Sequence, residues 1–292
     1  SRGLGDVYKR QGPLGLDMAA AAYGIHLIAN SEMIGAIRAV STHRGRDVRD
    51  FVMVAFGGCG PAHAAQLARE MDIAKVVIPP NPGVFSTFGL LTTELEFQRT
   101  KTLYTEANEL GEGAILRDIL TTLKSEIEKE FSQEAGSAAF TFQLSADMRY
   151  SGQSFDLPIS ASIDLSPAEL IKTLVERFEI EHENTYGQRA TDERVMIATI
   201  RVTGRVLDAK NRIGTVMPTT ETKPKDSRDA WFGPEFGWLE SPVVGRDSIP
   251  NMGRTGPILI EEYDSVIVVP PGCSARSDPS GSIVILSLIH IS

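Results

Sequence analysis

The stretch FVMVAFGGCGPAHAAQLAREM (Phe51–Met71) constrains the fold more than any other part of the chain. Its first six residues are continuously apolar, which predicts a strand buried on both faces. The run breaks on Gly57, Gly58 and Gly60, and Pro61 then stands at the first position of a predicted helix that reaches about Met71. KVVIPP (Lys75–Pro80) follows at once and predicts a second strand. Two strands joined by a helix in so little chain pair in parallel, because only a crossover brings the second strand back in the same direction. Upstream, Met18, Ala22, Ile25, Ala29, Met33, Ala36, Ile37 and Val40 recur at helical spacing. That pattern predicts a helix from an N-cap at Asp17 to about Arg44, closed by Gly45. Helix, strand, helix and strand in this order make an α/β layer.

Past the PPNPG turn, Gly83–Phe97 contains a short predicted helix around Ser86–Leu91, and a composition shift at Thr105–Gly113 marks a domain boundary. The expected division is therefore 12–104 and 105–286. In the second part Glu112–Glu134 reads as a charged helix, and Phe140–Ile159 alternates as a hairpin turning at Ser151-Gly152. Ser166-Pro167-Ala168-Glu169 is a capping box that starts a helix ending near Tyr186-Gly187. Arg194–Val206 alternates as a strand, Lys210–Arg228 reads as a polar loop, and short strands follow to Leu286. The second domain is α+β on this reading. GDVYKRQ (Gly5–Gln11) and LSLIHIS (Leu286–Ser292) resemble translated sequencing adapters. Residues 1–11 and 287–292 are accordingly read as non-native tails on a fragment of a longer protein.

The 292 residues are 42% hydrophobic and 23% charged with a net charge of -9, a composition that supports a sizeable core. No dense Lys/Arg block suggests a nucleic-acid surface, and no apolar run reaches the ~18–20 residues that cross a bilayer. Cys59 and Cys273 lie far apart and in no metal-ligand spacing, so a reducing, cytoplasmic setting is expected and no metal site is assigned.

The glycines carry the first candidate site. A backbone free of side chains at Gly57, Gly58 and Gly60, leading into a helix N-terminus, can contact a nucleotide, or it can be an ordinary tight turn. The spacing is neither GxxxxGK[ST] nor GxGxxG. Cys59 sits in this loop and His63 in the first turn of the helix, where it could face the same site. His182 opens HENTY, which lacks the second histidine of HExxH; with Tyr186 it reads as a polar pair at a helix end. His26 reads as a hydrogen-bonded core residue and His43 as exposed. Asp147, Arg149, Tyr150 and Gln153 cluster at the hairpin turn, and Glu262 with Asp264 read as one solvated strand face.

Several stretches taken together resemble the hydantoinase A/5-oxoprolinase family. They are AAYGIHLIANSEMIGAIRAVSTHRGRDVRDFVMVAFGGCGPAHAAQLARE, VVIPPNPGVFSTFGLL, DMRYSGQSFDLPI, FEIEHENTYG and GPILIEEYDSVIVVPPG. The resemblance implies that residues 12–104 are the C-terminal part of an actin-like ATPase domain and that 105–286 are the family's C-terminal α+β domain. It makes Gly57 and Gly58 nucleotide-contacting backbone and lets Gly60 and Pro61 shape the helix start; His63, from its place in the first helical turn, is read with Gly57, Gly58 and Gly60 as cofactor-binding, and no catalytic residue is implied. It also implies ATP with Mg²⁺, and ATP-driven opening of a cyclic imide or lactam through a phosphorylated carbonyl oxygen. The phosphate loop of such proteins lies upstream of this region, so the chain alone is not expected to turn over ATP. A hydantoinase B-type subunit is the implied partner. The alternatives are an acetone-carboxylase β-type fragment and a non-catalytic scaffold segment.

Overall fold

A computed structural model describes residues 15–134, 139–190, 193–206 and 226–287. The tails read as non-native and the polar stretch after 206 fall largely outside these residues. Two compact units are present. The first combines residues up to Leu91 with residues 226–287, and the second holds residues 92–206.

The first unit opens with helix α1, Met18–Val40. Asp17 caps it as expected, accepting from the Ala20 N–H at 2.7 Å. The α-helix stops before Arg44: Ser41 Oγ donates to the Ile37 carbonyl at 2.6 Å, and Thr42–Arg44 is a single 3₁₀ turn closed by Gly45 at φ +69°. Strand β1 is only Met53–Val54, and helix α2 spans Gly60–Glu70 with strand β2 at Lys75–Ile78. β1 and β2 pair in parallel, Met53 opposite Val76 and Val54 opposite Val77. The expected strand buried on both faces is therefore corrected. Phe51, Val52, Val54 and Phe56 are each about half exposed, and among the described residues β1 lies at the edge of its sheet with β2 as its one neighbour. Helix α3, Phe85–Thr92, lies where the short helix is predicted.

The chain returns to this unit after the second one. Strands β7 (Ser227–Trp231), β8 (Trp238–Val244), β9 (Arg254–Thr255), β10 (Ile258–Glu261), β11 (Val266–Val269), β12 (Cys273–Ser277) and β13 (Ile283–Ser287) complete it. β13 lies antiparallel against β2, with Ile78 opposite Ile283 and Val76 opposite Ile285, in a sheet ordered β1-β2-β13-β12-β9. A second sheet is ordered β11-β10-β8-β7. Ile78, Ile260, Ile267, Val269 and Ile283 are fully buried in one core, each contributing about 1.5–3 kcal/mol of burial.

The second unit is an antiparallel sheet ordered β3-β6-β4-β5, formed by Glu96–Glu106 (β3), Phe140–Tyr150 (β4), Leu157–Ala161 (β5) and Val195–Val206 (β6). Helices α4, Ala114–Glu134, and α5, Pro167–Tyr186, bury Leu116, Ile127, Phe131, Leu170, Leu174 and Phe178 in one core with Ala146, Met148 and Ile200 of the sheet. The capping box forms as expected: Ser166 Oγ accepts from the Glu169 N–H, and the Glu169 carboxylate accepts from the Ser166 N–H at 3.2 Å. This unit is α+β.

The two compact units are not each one continuous stretch of chain. β3 already belongs to the second unit because it pairs with β6, and residues from Ser227 onward join the first because β13 pairs with β2.

Candidate functional site

Ligands of open α/β sheets collect beyond the carboxyl ends of the parallel strands. Here those ends belong to β1 and β2, and a third segment, the turn between β10 and β11, meets them. Gly57 turns the chain at φ +84°, a conformation that suits glycine, and its N–H donates to the Pro82 carbonyl at 2.7 Å. That bond ties the loop after β1 to the loop after β2. Gly83 is a glycine for a different reason, the close approach of the Asp264 side chain, while Gly58 only touches the Asp264 backbone at ordinary contact distance. A Cβ on Gly58 would stand 3.4 Å from the Asp264 carbonyl oxygen, and one on Gly83 would stand 2.7 Å from the Asp264 carboxyl carbon. No neighbour lies within 4 Å of a Cβ on Gly57 or Gly60, so those two face open space.

The turn that carries Asp264 is anchored deeply. Glu262 accepts two bonds from Arg246, one of them from Nη2 at 3.0 Å, with the two side chains only 10% and 5% exposed. Arg246 also donates to the carbonyls of Ile78 at 3.1 Å, Pro79 at 2.9 Å and Gly281 at 2.8 Å. Ser265 Oγ donates to Glu262 Oε2 at 3.2 Å. Glu262 is thus buried and paired, and the expectation of a solvated face shared with Asp264 is corrected: β10 ends at Glu261, so the strand alternation stops there. Asp264 itself is half-buried. Among the described residues its carboxylate has no hydrogen-bond or ion-pair partner.

Gly57, Gly58 and Gly60 share this loop. Cys59 is exposed and makes no side-chain bond to the helix it precedes. His63 faces α1: its Nδ1 lies 2.7 Å from Asn30 Oδ1, and its ring stacks on His26 with centroids 4.5 Å apart. His26 Nε2 in turn lies 2.8 Å from Gln66 Oε1, and Asn30 is fully buried. Burial, and then the neighbouring His26, push the His63 imidazole below its ordinary pKa. Within the second unit His182 is buried, bonded to Gln153 at 3.0 Å and to the Gln188 carbonyl at 2.9 Å, and its ring meets Tyr186 at 4.6 Å. Asp147 pairs with Arg201 at 2.9 Å, and Arg149 with Asp156 at 3.6 Å. The hairpin cluster is thereby internally matched.

Sequence reasoning missed Gly83, Arg246 and the isolation of Asp264. The PPNPG turn at the end of β2 was the one local signal for Gly83. Among the described residues no group of three His, Cys, Asp or Glu could hold a metal ion, and no helix is long and apolar enough to cross a membrane.

Comparisons with known proteins agree along nearly the whole chain. The hydantoinase/oxoprolinase family matches residues 6–99, and the hydantoinase/oxoprolinase C-terminal domain matches residues 104–283. An uncharacterized protein of Methanocaldococcus jannaschii is 36% identical over 92% of this chain and 38% of its own length. Caprolactamase subunit alpha of Pseudomonas jessenii is 27% identical over 92% of the chain and 40% of its own length. The crystal structure of the ATP-dependent caprolactamase from the same organism superposes with a TM-score of 0.83 at 24% identity, covering 96% of this chain and 42% of that one. The chain thus spans about two fifths of these relatives, and the expected α/β fold class, with part of an actin-like ATPase lobe, holds. On the two family matches together, this chain belongs to the hydantoinase/oxoprolinase family.

Proposed function

We propose that this chain is the nucleoside-side part of an ATP-dependent enzyme that opens a cyclic amide, joined to that enzyme's C-terminal domain. The observation that carries the reading is the meeting of three loops at the carboxyl ends of β1 and β2, where Gly57 and Gly60 leave the backbone open to a ligand. The likeness to caprolactamase subunit alpha supports a cyclic amide as substrate class and a second, hydantoinase B-type subunit as partner. Two free thiols, Cys59 and Cys273, support a reducing, cytoplasmic setting.

The residues present fit one end of ATP and not the other. The glycine loop suits the nucleoside. The chain has no Gly/Thr-rich phosphate loop, and no described cluster suits Mg²⁺. Phosphoryl transfer therefore belongs to residues outside this chain, which binds nucleotide without hydrolysing it.

Calorimetric titration with ATP, beside an ATPase assay, tests this on the wild-type chain and on Gly58→Asp. Binding without turnover, lost in the folded variant, is the expected result. Steady ATPase activity sensitive to that substitution would overturn the assignment of the chemistry. Unchanged binding by Gly58→Asp would remove the nucleotide from this loop, and loss of subunit assembly alone would favour a scaffold.

A further inference from the structure

We infer that Asp264 reads the sugar of the bound nucleoside, its carboxylate accepting hydrogen bonds from vicinal ribose hydroxyls. This rests on the nucleotide reading of the glycine loop given above. Three observations lead to it. First, Asp264 lies against Gly83 and Gly58, at the strand ends where the ligand is placed, and any side chain at Gly83 would displace it. Second, Asp264 is half-buried and its carboxylate has no protein partner among the described residues. A half-exposed carboxylate with no protein partner is hydrated, and a ligand that brings two hydroxyl donors can take the place of that water. Third, it is held rigidly, because the turn that carries it is fixed through Glu262 to Arg246 and hence to the backbone that ends β2.

The charge decides which part of a nucleotide belongs here. A fixed negative charge beside the loop repels phosphates and favours neutral hydroxyl donors. A divalent cation would need further acidic or histidine ligands, and among the described residues no such group exists. The loop is consequently a nucleoside contact rather than a phosphate cradle, and its specificity is for a sugar bearing both hydroxyls.

The test titrates this chain with adenosine and with 2′,3′-dideoxyadenosine by ligand-observed NMR, for wild type, Asp264→Asn and Asp264→Ala. Thermal unfolding of each variant reports its fold. Wild type is expected to bind adenosine about tenfold more tightly than the dideoxy analogue, the scale of one net charged hydrogen bond. Asp264→Ala should lose that preference while binding the analogue as wild type does. Asp264→Asn, which keeps the shape and one acceptor oxygen, should fall between them and decides the matter if the alanine variant does not fold. An alanine variant that retains the preference overturns the inference, as does a wild type that binds both nucleosides alike. Wild type binding neither nucleoside overturns the nucleotide reading of the loop itself.

Discussion

Arg246 and Glu262 form a two-point ion pair almost wholly removed from water, and the arginine's other donors all go to backbone carbonyls. Removing one partner strands a buried charge, which costs about 3–5 kcal/mol. Glu262→Leu and Arg246→Met should each lower the unfolding free energy extrapolated from urea denaturation by that order. The double variant Arg246→Met/Glu262→Leu should recover part of the loss, because no charge remains unpaired. Additive losses in this cycle would contradict the pairing.

His63 gives the first unit a pH dependence of defined sign. Its imidazole is held below the ordinary value of 6.5 by burial and then by His26. As pH falls, the unfolded chain takes up a proton before the folded chain does. The stabilisation is therefore complete above about pH 6.5 and is lost as pH drops below it toward the depressed folded value. Urea midpoints measured from about pH 7.5 down to pH 5.5 should decline, and His63→Gln should flatten that decline. A wild-type profile that rises on acidification would contradict the assignment.

Gly204 lies on the buried side of β6, where a Cβ would come within 2.6 Å of the Phe131 ring and 2.5 Å of Ile127 Cγ2. Gly204→Ala is expected to destabilise the second unit by about 1–3 kcal/mol through overpacking. Denaturant unfolding followed by circular dichroism measures this, and a neutral result would mean that α4 shifts freely.

β1 presents apolar side chains along an edge that no other described strand pairs with, and Val54 is 52% exposed. Such edges recruit other chains, and a lysine blunts them. Val54→Lys should reduce self-association in light scattering while changing stability by no more than about 0.5 kcal/mol. Equal association of variant and wild type would point to another surface.

Features written in local chemistry were legible in the sequence. Asp17 as a cap, the Ser166–Glu169 box and the hairpin from Phe140 each depend on residues a few positions apart. The length of β1 was not legible, because an apolar run does not say how many neighbours a strand will have. Nor was the placement of residues 227–287, since the pairing of Ile78 with Ile283 leaves no mark near either residue. The glycine loop announced itself by breaking a strand. Asp264 did not, because its isolation depends on Glu262 turning inward to Arg246 while the next carboxylate is left over Gly83.

The pairing of β2 with β13 also orders events in time. Residues 92–206 close on themselves and can fold as soon as they leave the ribosome. β2 is made just before them, yet its antiparallel neighbour arrives only with Ile283–Ser287, after the whole second unit. During synthesis β2 must therefore wait with the edge that later meets β13 unpaired, and exposed strand edges of this kind favour association between chains.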